Sequence, residues 1–486
     1  MSKLHYPILV VLLLAAFFVR VYRTDELLRF YYDQGRDAMI ISDMIRNIKP
    51  VLVGPTTGLA GLLRGPASYY TLAPAYLIGQ GSPIIAAYWL QIISIIGLYF
   101  SYLISRKLFS PSAGLITVFL LGFSAHIVDL SRWLSEPPLT LTTVPVLLYG
   151  LIQIRTHHHQ IFWWLITALL LGLNLQFEIA SAIWFLPPII LLALVSKNYR
   201  PSLKTILIST LIFILTLLPQ IIFDLRHDGI MRQAIIANFG QTANPSFGFD
   251  IASISRRLIL YQDTLAYILA PYTPGLFYLV ILLFLPLLWL RSIRRHLLIP
   301  LVFFLVPLLV LTFYIGNSGN FYSYYLITVF PIFLILIAGT LHYYFQDRFL
   351  APLAIIVLVV FGFTNLPILK NFLNTGINGP NSITIKNQLD SLDWIYNQSK
   401  GQPFNVDIYV PPVIPYSYDY LFRWYGQKKF GYQPSDDPQS LTYLLFEVDP
   451  DSERFHQWYD SFNTQPIATA SSGGVTVEFR SQLSTP

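Results

Sequence analysis

The residues best equipped for chemistry stand early in the chain, in Phe30-Tyr31-Tyr32-Asp33-Gln34-Gly35-Arg36-Asp37-Ala38. Two carboxylates and a guanidinium fall within one short run flanked by aromatics. From Asp37 on, Ala38 to Arg46 has amphipathic spacing, which predicts a helix lying along a membrane interface. Asp33 then falls at or just before that helix's N-terminus, with Arg36 one turn on and on the same side. Asp33 is either a helix-capping acid in a local ion pair or a base held beside a cation that grips an anionic substrate.

A second acid, Glu136, lies in Ser131-Arg132-Trp133-Leu134-Ser135-Glu136-Pro137-Pro138-Leu139. The Pro pair suits a helix start. Glu136 is therefore either an acid favoured by the helix dipole or the partner of Asp33 across a cavity. Other polar clusters are Arg64-Gly65-Pro66 with Tyr69 and Tyr70, the run Asp224 to Asp228 holding Arg226 and His227, Arg256 with Arg257, and Tyr322 with Tyr324 and Tyr325. A lone aromatic at a membrane edge is commonly just an anchor. Here the mixed clusters of cation, acid and Tyr all fall on the same expected face, with cations for a phosphate and carboxylates for acid/base work.

The elements that must position these residues are membrane helices. The chain is 54% hydrophobic and 12% charged, with a mean hydropathy of +0.56. Soluble domains carry about 25% charged residues, so this chain must expose apolar surface to lipid. The apolar blocks run to about 20 residues, enough to span. The net charge of +6 sits mostly in short loops, which is a topology signal and not one for nucleic acid. With no cysteine, disulfides, thiolate metal sites and Cys nucleophiles are excluded.

The expected architecture is an all-α polytopic membrane protein of about eleven transmembrane helices with a small C-terminal α/β extracytoplasmic domain. The spans are expected near 5–22, 83–105, 112–128, 138–154, 161–177, 179–196, 203–222, 274–292, 297–315, 325–343 and 350–368, giving a membrane region over 1–368 and a tail domain over 369–486. Internal prolines (Pro187–Pro188, Pro286, Pro307, Pro331) predict kinks that a bundle absorbs. Arg20, Tyr22 and Arg23 follow the first apolar run without a small-residue cleavage site, so it reads as a retained helix.

With the N-terminus cytoplasmic, the inner loops hold Arg106 and Lys107, then Arg155, then Lys197, Arg200 and Lys204, then Arg291, Arg294 and Arg295, and finally Arg348. The run His157–His159 reads as solvated loop more readily than as a metal tract. The loops 23–82 and 223–273 and the tail then face outward. The tail predicts helices at Ile383–Gln398, Tyr416–Tyr425 and Asp451–Phe462. Strands are expected at Asn405–Val410, Leu441–Val448, Ile467–Ala470 and Val475–Phe479, the last two forming a hairpin about Ser-Ser-Gly-Gly. The tail carries no phosphate loop, nucleophile elbow or metal spacing and reads as a structural or acceptor-recruiting lid.

This layout resembles the GT-C class of membrane glycosyltransferases, and within it the branch of protein O-mannosyltransferases and aminoarabinose transferases (glycosyltransferase family 39 and relatives). Asp33-Gln34-Gly35-Arg36-Asp37-Ala38 is similar to that branch's Asp-Glu-x-Arg-Tyr-Ala motif. Arg64-Gly65-Pro66 with Tyr69-Tyr70 is similar to its Lys-Pro-Pro-x-x-Tyr segment, and Glu136-Pro137-Pro138-Leu139 to its Asp-Pro-Leu-Leu site. Gln34 replaces the second acid, whose role does not carry over. Arg64 replaces Lys and still suits an oxyanion.

The resemblance implies a polyprenyl-phosphate sugar donor and a protein, lipid or glycan acceptor. It implies Asp33 as base for an inverting attack by an acceptor hydroxyl, and Glu136 as a catalytic partner that positions substrate. Arg36, Arg64 and one of Arg226, Arg256 or Arg257 would neutralise the phosphate. Asp37, Tyr69, Arg132, His227, Tyr322 and Tyr325 are the further binding candidates. No cofactor is required on this reading, while a divalent metal at Asp33 and Glu136 stays open. The main rival is a transporter or flippase of a lipid-linked or small polar substrate. That class places ionisable groups near mid-membrane and shows two similar halves. Here the spans are almost free of charge, with Glu178 and Asp224 at span ends, and no repeat is visible. A surface-polysaccharide polymerase or ligase, with its large loop usually late in the chain, and a scaffold whose acids only cap helices are lesser rivals.

Overall fold

The computed structural model describes residues 5–156, 159–239, 247–289, 291–314, 320–411, 414–462 and 464–481, with backbone alone at 291–295, 375 and 481. His157, His158 and the side chains of Arg291, Arg294 and Arg295 lie outside the described residues.

Among the described residues, seven helices are long and apolar enough to cross a membrane, and nine spans result if two bent pairs each count as one. The seven are α1 (His5–Leu27), α4 (Pro83–Leu108), α7 (Pro137–Arg155), α8 (Gln160–Phe177), α10 (Leu203–Arg226), α15 (Ser323–Tyr344) and α16 (Ala351–Asn374). The bent pairs are α5 (Pro111–Phe123) with α6 (Ala125–Ser131), at 67°, and α12 (Ile251–Leu269) with α13 (Pro274–Trp289), at 96°. Two expected spans coincide with shorter apolar helices, α9 (Ile179–Val195) and α14 (His296–Thr312). Helix α10 needs lipid most plainly: its most apolar stretch has mean hydropathy 2.5 and none of it is buried in the chain.

Short signals set several helix starts. Ser82, Ser110 and Ser202 cap helices whose third backbone N–H each receives, and Pro83 and Pro111 follow directly. Three of the expected kinks become 3₁₀ segments at Ile183–Phe185, Leu285–Trp289 and Ser323–Val329, at or just before Pro187, Pro286 and Pro331, because proline removes a donor and crowds the preceding turn; Pro307 instead lies inside a continuous α-helix. Where α5 breaks into α6, Asn365 Oδ1 accepts from Ala125 N at 2.9 Å and Ser124 Oγ donates to Ile268 O at 2.7 Å. Neighbouring side chains thus satisfy groups that lipid cannot.

The first long loop is largely helical. It holds α2 (Tyr32–Arg46) and α3 (Ala67–Ile78). Helix α2 starts five residues earlier than the expected Asp37, so Asp33 lies inside its first turn. The cap is made by Gln34, whose Oε1 accepts from Tyr31 N at 3.1 Å. The second loop holds α11 (Ile230–Phe239) and all of α12, so its latter half is part of a bent pair and not simply an extramembrane connector.

The last apolar helix runs to Thr375, past the expected boundary at 368. Beyond it lie α17 (Ile385–Ser399), α18 (Tyr416–Leu421, prolonged to Phe430 through a π-helical stretch) and α19 (Ser452–Tyr459). The strands β1 (Phe404–Tyr409), β2 (Leu441–Glu447), β3 (Ala468–Ser472) and β4 (Val475–Ser481) form one sheet in the order β1-β2-β4-β3. β1 and β2 are parallel and the other pairs antiparallel. The expected tail elements are present, including the hairpin, which turns at Gly473–Gly474. This domain does not close its own core. Tyr418, Leu421, Tyr443 and Val477 share one apolar cluster with Phe30, Ile41, Leu72 and Tyr76 of the first loop.

Candidate active site

Helix α2 carries the first half of the site. Asp33 and Arg36 are one turn apart, and Arg36 Nη1 lies 2.8 Å from Asp33 Oδ1. Arg36 turns its other edge to Asp37, with Nε and Nη2 at 2.9 and 2.8 Å from Oδ1. One guanidinium is thus shared by two carboxylates that differ in environment: Asp33 is 59% exposed and Asp37 14%. Burial weakens the Arg36 charge, but Asp37 and then Asp33 outweigh it and hold its pKa well above the ordinary value. Burial, opposed by Arg36 and reinforced by Glu136, pushes Asp37 up to about 7. Tyr69 from α3 donates to Asp37 Oδ1 at 3.1 Å, and burial and Asp37 raise the phenol's pKa.

The second half centres on Arg64, in the loop before α3. Its Nη1 lies 3.0 Å from Glu136 Oε1, its Nη2 3.5 Å from Glu178 Oε2, and Nη1 donates to Phe177 O at 2.6 Å. Arg64, Glu136 and Glu178 are 8%, 9% and 1% exposed. Glu178 stands between α8 and α9, where its Oε1 caps Ala180 N at 3.1 Å. Burial pushes Glu178 up to about 7 against the pull of Arg64. Arg64 itself is raised, because Glu178 and Glu136 outweigh its burial. Gly65 fits here for lack of a side chain: a Cβ would lie 2.2 Å from Gln176 Oε1. That glutamine accepts from Ala67 N at 3.1 Å and donates to Thr216 O at 2.6 Å.

The halves meet at a narrow crevice of about 10 Å³, room for roughly one water. Asp37, Tyr69, Ser135 and Glu136 line it together with Gln34 and Tyr76. The acid that shares this cavity with Glu136 is therefore Asp37, while Asp33 does not line it and stays exposed beside Arg36. Four carboxylates (Asp33, Asp37, Glu136, Glu178) surround two arginines. With Asp37 and Glu178 both raised to about 7, the cluster's excess of negative charge shrinks towards zero as pH falls below that value. Without that uptake of protons, an anionic donor would meet a net repulsion.

The remaining candidates divide. Tyr324 and Tyr325 lie within electrostatic reach of Arg64, and Tyr325 packs on Tyr322 and Phe321 at 5.6 and 5.1 Å between ring centroids. Phe321 in turn lies under Arg257, whose guanidinium is 3.9 Å from the ring centroid. Arg257 is buried and donates to Tyr314 O at 3.1 Å; among the described residues no carboxylate pairs with it. Arg132 is instead a framework residue: it donates to the backbone carbonyls of Val19, Arg20 and Tyr22 and ties α6 to α1. Arg226, His227 and Arg256 are exposed. His227 stacks on Phe223 at 4.0 Å, and Arg256 bonds Ser253 at 2.8 Å. Among the described residues, no group of three or more His, Asp and Glu side chains is arranged to hold a metal ion.

Two functional placements went beyond the sequence reading. Asp37, expected only as a binding residue, takes the pocket position expected for Asp33. Glu178, seen only as an acid at a span end, is the second counterion of Arg64. Its signal was a carboxylate between two apolar runs, which is costly unless paired.

Residues 63–223 match the dolichyl-phosphate-mannose-protein mannosyltransferase family. Comparison with curated protein sequences gives no match. Among solved structures, ArnT from Cupriavidus metallidurans bound to undecaprenyl phosphate aligns over 99% of this chain and 98% of its own, with a TM-score of 0.62 and 10% identity. The archaeal oligosaccharyltransferase AglB from Archaeoglobus fulgidus, in complex with an inhibitory peptide and a dolichol-phosphate, aligns over 100% of this chain and 75% of its own, with a TM-score of 0.52 and 14% identity. At such identities the likeness is one of fold. Together with the family match over 63–223, this likeness gives the chain the fold of the GT-C membrane glycosyltransferases. Its fold is similar to that of ArnT over 99% of the chain, and its sequence resembles the protein mannosyltransferases over the segment that carries Arg64, Glu136 and Glu178.

Proposed function

We propose that this protein transfers a sugar from a polyprenyl-phosphate donor to an acceptor hydroxyl, with inversion, at the outer face of the membrane. The observation that carries the reading is an accessible carboxylate, Asp33, joined through Arg36 to Asp37, which lines a crevice together with Glu136. A buried guanidinium, Arg257, with no carboxylate partner among the described residues, stands over Phe321, which packs on Tyr325. The solved relatives that hold undecaprenyl phosphate and dolichol-phosphate share this fold, which supports a donor of that class. The alternation of basic loops supports a cytoplasmic N-terminus and an outward C-terminal domain.

In the transfer, the acceptor oxygen bonds to the anomeric carbon as the bond from that carbon to the phosphate oxygen breaks. Asp33 takes the acceptor proton. The polyprenyl phosphate leaves with the electron pair of the broken bond, and the products are the glycosylated acceptor and the free lipid phosphate. Arg257 meets the phosphate and offsets the charge that grows on it. Arg36 and Arg64, each already shared by two acids, hold the carboxylates in place, and Asp37 and Glu136 orient the substrates. A phosphate leaving group needs little protonation, so this scheme uses no resident metal, and chelation with EDTA is expected to leave turnover unchanged.

The test is purified protein in nanodiscs with radiolabelled polyprenyl-phosphate sugars and membrane extract as acceptor source. Label should move to an acceptor or to water, and Asp33→Asn should stop it while the protein stays folded. A wild type that neither binds nor turns over any such donor, with Asp33→Asn and Glu136→Gln behaving identically to it, would reject the reading and turn attention to transport.

A further inference from the structure

We propose that the C-terminal domain is a structural half of the active site: it fixes α2 in place, and Gln388 and Glu447 are positioning residues for Asp33, Arg36 and Asp37. The kinetic part of this inference rests on the transfer reading above; the structural part does not.

The domain first holds the chain that leads into α2. Ile385 N donates to Leu28 O at 2.7 Å, Gln388 Nε2 to Phe30 O at 2.9 Å, and Tyr31 Oη to Ile383 O at 3.1 Å. Gln388 is itself held by a buried carboxylate. Glu447, from β2, accepts from Gln388 Nε2 at 3.2 Å and from Tyr418 Oη, on α18, at 2.8 Å. Helix, helix and strand thus converge on one acid, and the next bond in the series ends two residues before α2 begins. An acid so buried and so partnered makes a rigid joint.

The domain then grips the back of α2. At about 100° per residue, Tyr32, Gly35, Ser42 and Asp43 share one face, and Asp33 and Asp37 lie between about a third and a half of a turn further round. Tyr32 packs on Tyr416 with centroids 5.0 Å apart, Ser42 bonds Tyr420 at 3.1 Å, and Asp43 pairs with Arg423. Gly35 is the tightest point. A Cβ there would lie 2.3 Å from Ser417 N and 2.4 Å from Tyr416 O, so the motif's glycine is explained by backbone from the other domain. A lid that only recruits acceptor has no need to hold the rear face of the helix bearing the site. A domain that sets the rotation of that helix does, because a misplacement of about 1 Å can cost on the order of 100-fold in rate.

The experiment compares full-length wild type in nanodiscs with Gln388→Leu, Glu447→Gln and Gly35→Ala, and with Asp43→Arg alone and combined with Arg423→Asp. Hydrogen exchange over residues 32–46 and the kcat and KM for a polyprenyl-phosphate sugar are read on each. Gln388→Leu, Glu447→Gln and Gly35→Ala should speed exchange in α2 and lower kcat by about 100-fold at an unchanged donor KM. Asp43→Arg should do the same, and adding Arg423→Asp should restore both readouts, which separates positioning from general damage. Unchanged exchange in α2, or a loosened α2 with wild-type kcat, overturns the proposal. If the wild type turns over no donor, the transfer reading fails by itself, and the exchange data still decide whether the domain fixes the helix.

Discussion

Two clusters in this molecule have the same composition, one arginine between two acids, and different surroundings. Arg36 sits between Asp33 and Asp37 at the open end of α2, where Asp33 is 59% exposed. Arg64 sits between Glu136 and Glu178, all three within 10% exposure, 8%, 9% and 1%. An exposed ion pair is worth about 0–1 kcal/mol, so Asp33 can exchange its arginine contact for a substrate at little cost. A buried pair resists such exchange, because removing one partner leaves a charge with neither water nor counterion. On the transfer reading proposed above, this difference gives reaction to the first cluster and frame to the second, with Asp37 and Glu136 meeting in the shared crevice.

The sharpest way to break this contrast is Asp33→Asn. Transfer should fall by about 10²–10⁴-fold, the range for loss of a general base, and stability should change by less than about 1 kcal/mol. Activity assays and thermal unfolding on the same preparation check both. Equal loss in both measurements would mean that Asp33 belongs to the frame.

The matching change in the other cluster is Arg64→Met. It strands Glu136 and Glu178 and should destabilise the protein by about 3–5 kcal/mol. Glu178→Gln in the same chain should return part of that loss by removing one stranded charge. Unfolding in detergent would show it. A milder loss, of the size seen at a surface pair, would mean that water reaches Arg64 and that the two clusters are alike.

A smaller effect separates Arg257 from its neighbour. A hydrogen bond to a charged group contributes about 1.5–3 kcal/mol, so Arg257→Gln should weaken binding of polyprenyl phosphate by about tenfold or more. Arg256→Gln should leave it unchanged, since Arg256 is exposed and, among the described residues, contacts Ser253 of its own helix and the capping Asp250. Titration of lipid phosphate into both variants decides it. Equal losses would mean diffuse attraction of an anionic lipid and no seated phosphate.

The sequence exposed these clusters unevenly, for physical reasons. The positions of the apolar helices, the kinks at Pro187, Pro286 and Pro331, the tail strands and the glycine hairpin follow local rules of periodicity and turn chemistry and were legible; the number of spans was not, because 179–196 and 297–315 form helices shorter than a span needs. The start of α2 was not, because no Ser, Thr, Asp or Asn cap marks it; the side chain of Gln34 does the capping, and bonds from Ile385 and Gln388 hold the approach. The spacing of Asp33 and Asp37 puts both acids near one side of a helix. Which of them faces Glu136 depends on how α2 is turned, and Gly35 against Tyr416 and Ser417 sets that turn from the far end of the chain. The order β1-β2-β4-β3 was hidden for a similar reason: β4 enters between β2 and its own hairpin partner, which no local pattern states.

The finest distinction between the clusters is in their response to pH. Burial pushes Glu178 up to about 7 from an ordinary 4.5. Between those values the folded protein holds a proton on Glu178 that the unfolded chain has released, so folding is coupled to proton uptake. The contribution is fully present below about 4.5 and is lost as pH rises through about 7. Asp37, raised to about 7 from 3.8, acts in the same direction. Glu178→Gln is neutral at every pH and removes its share. The variant should therefore show a shallower fall in stability between about pH 5 and 7 than the wild type, with the curves closest in acid. If both curves keep the same slope, Glu178 is ionised beside Arg64 throughout. The second cluster would then carry a full pair of negative charges around one cation, and a lipid phosphate would have to be drawn in by Arg257 against them.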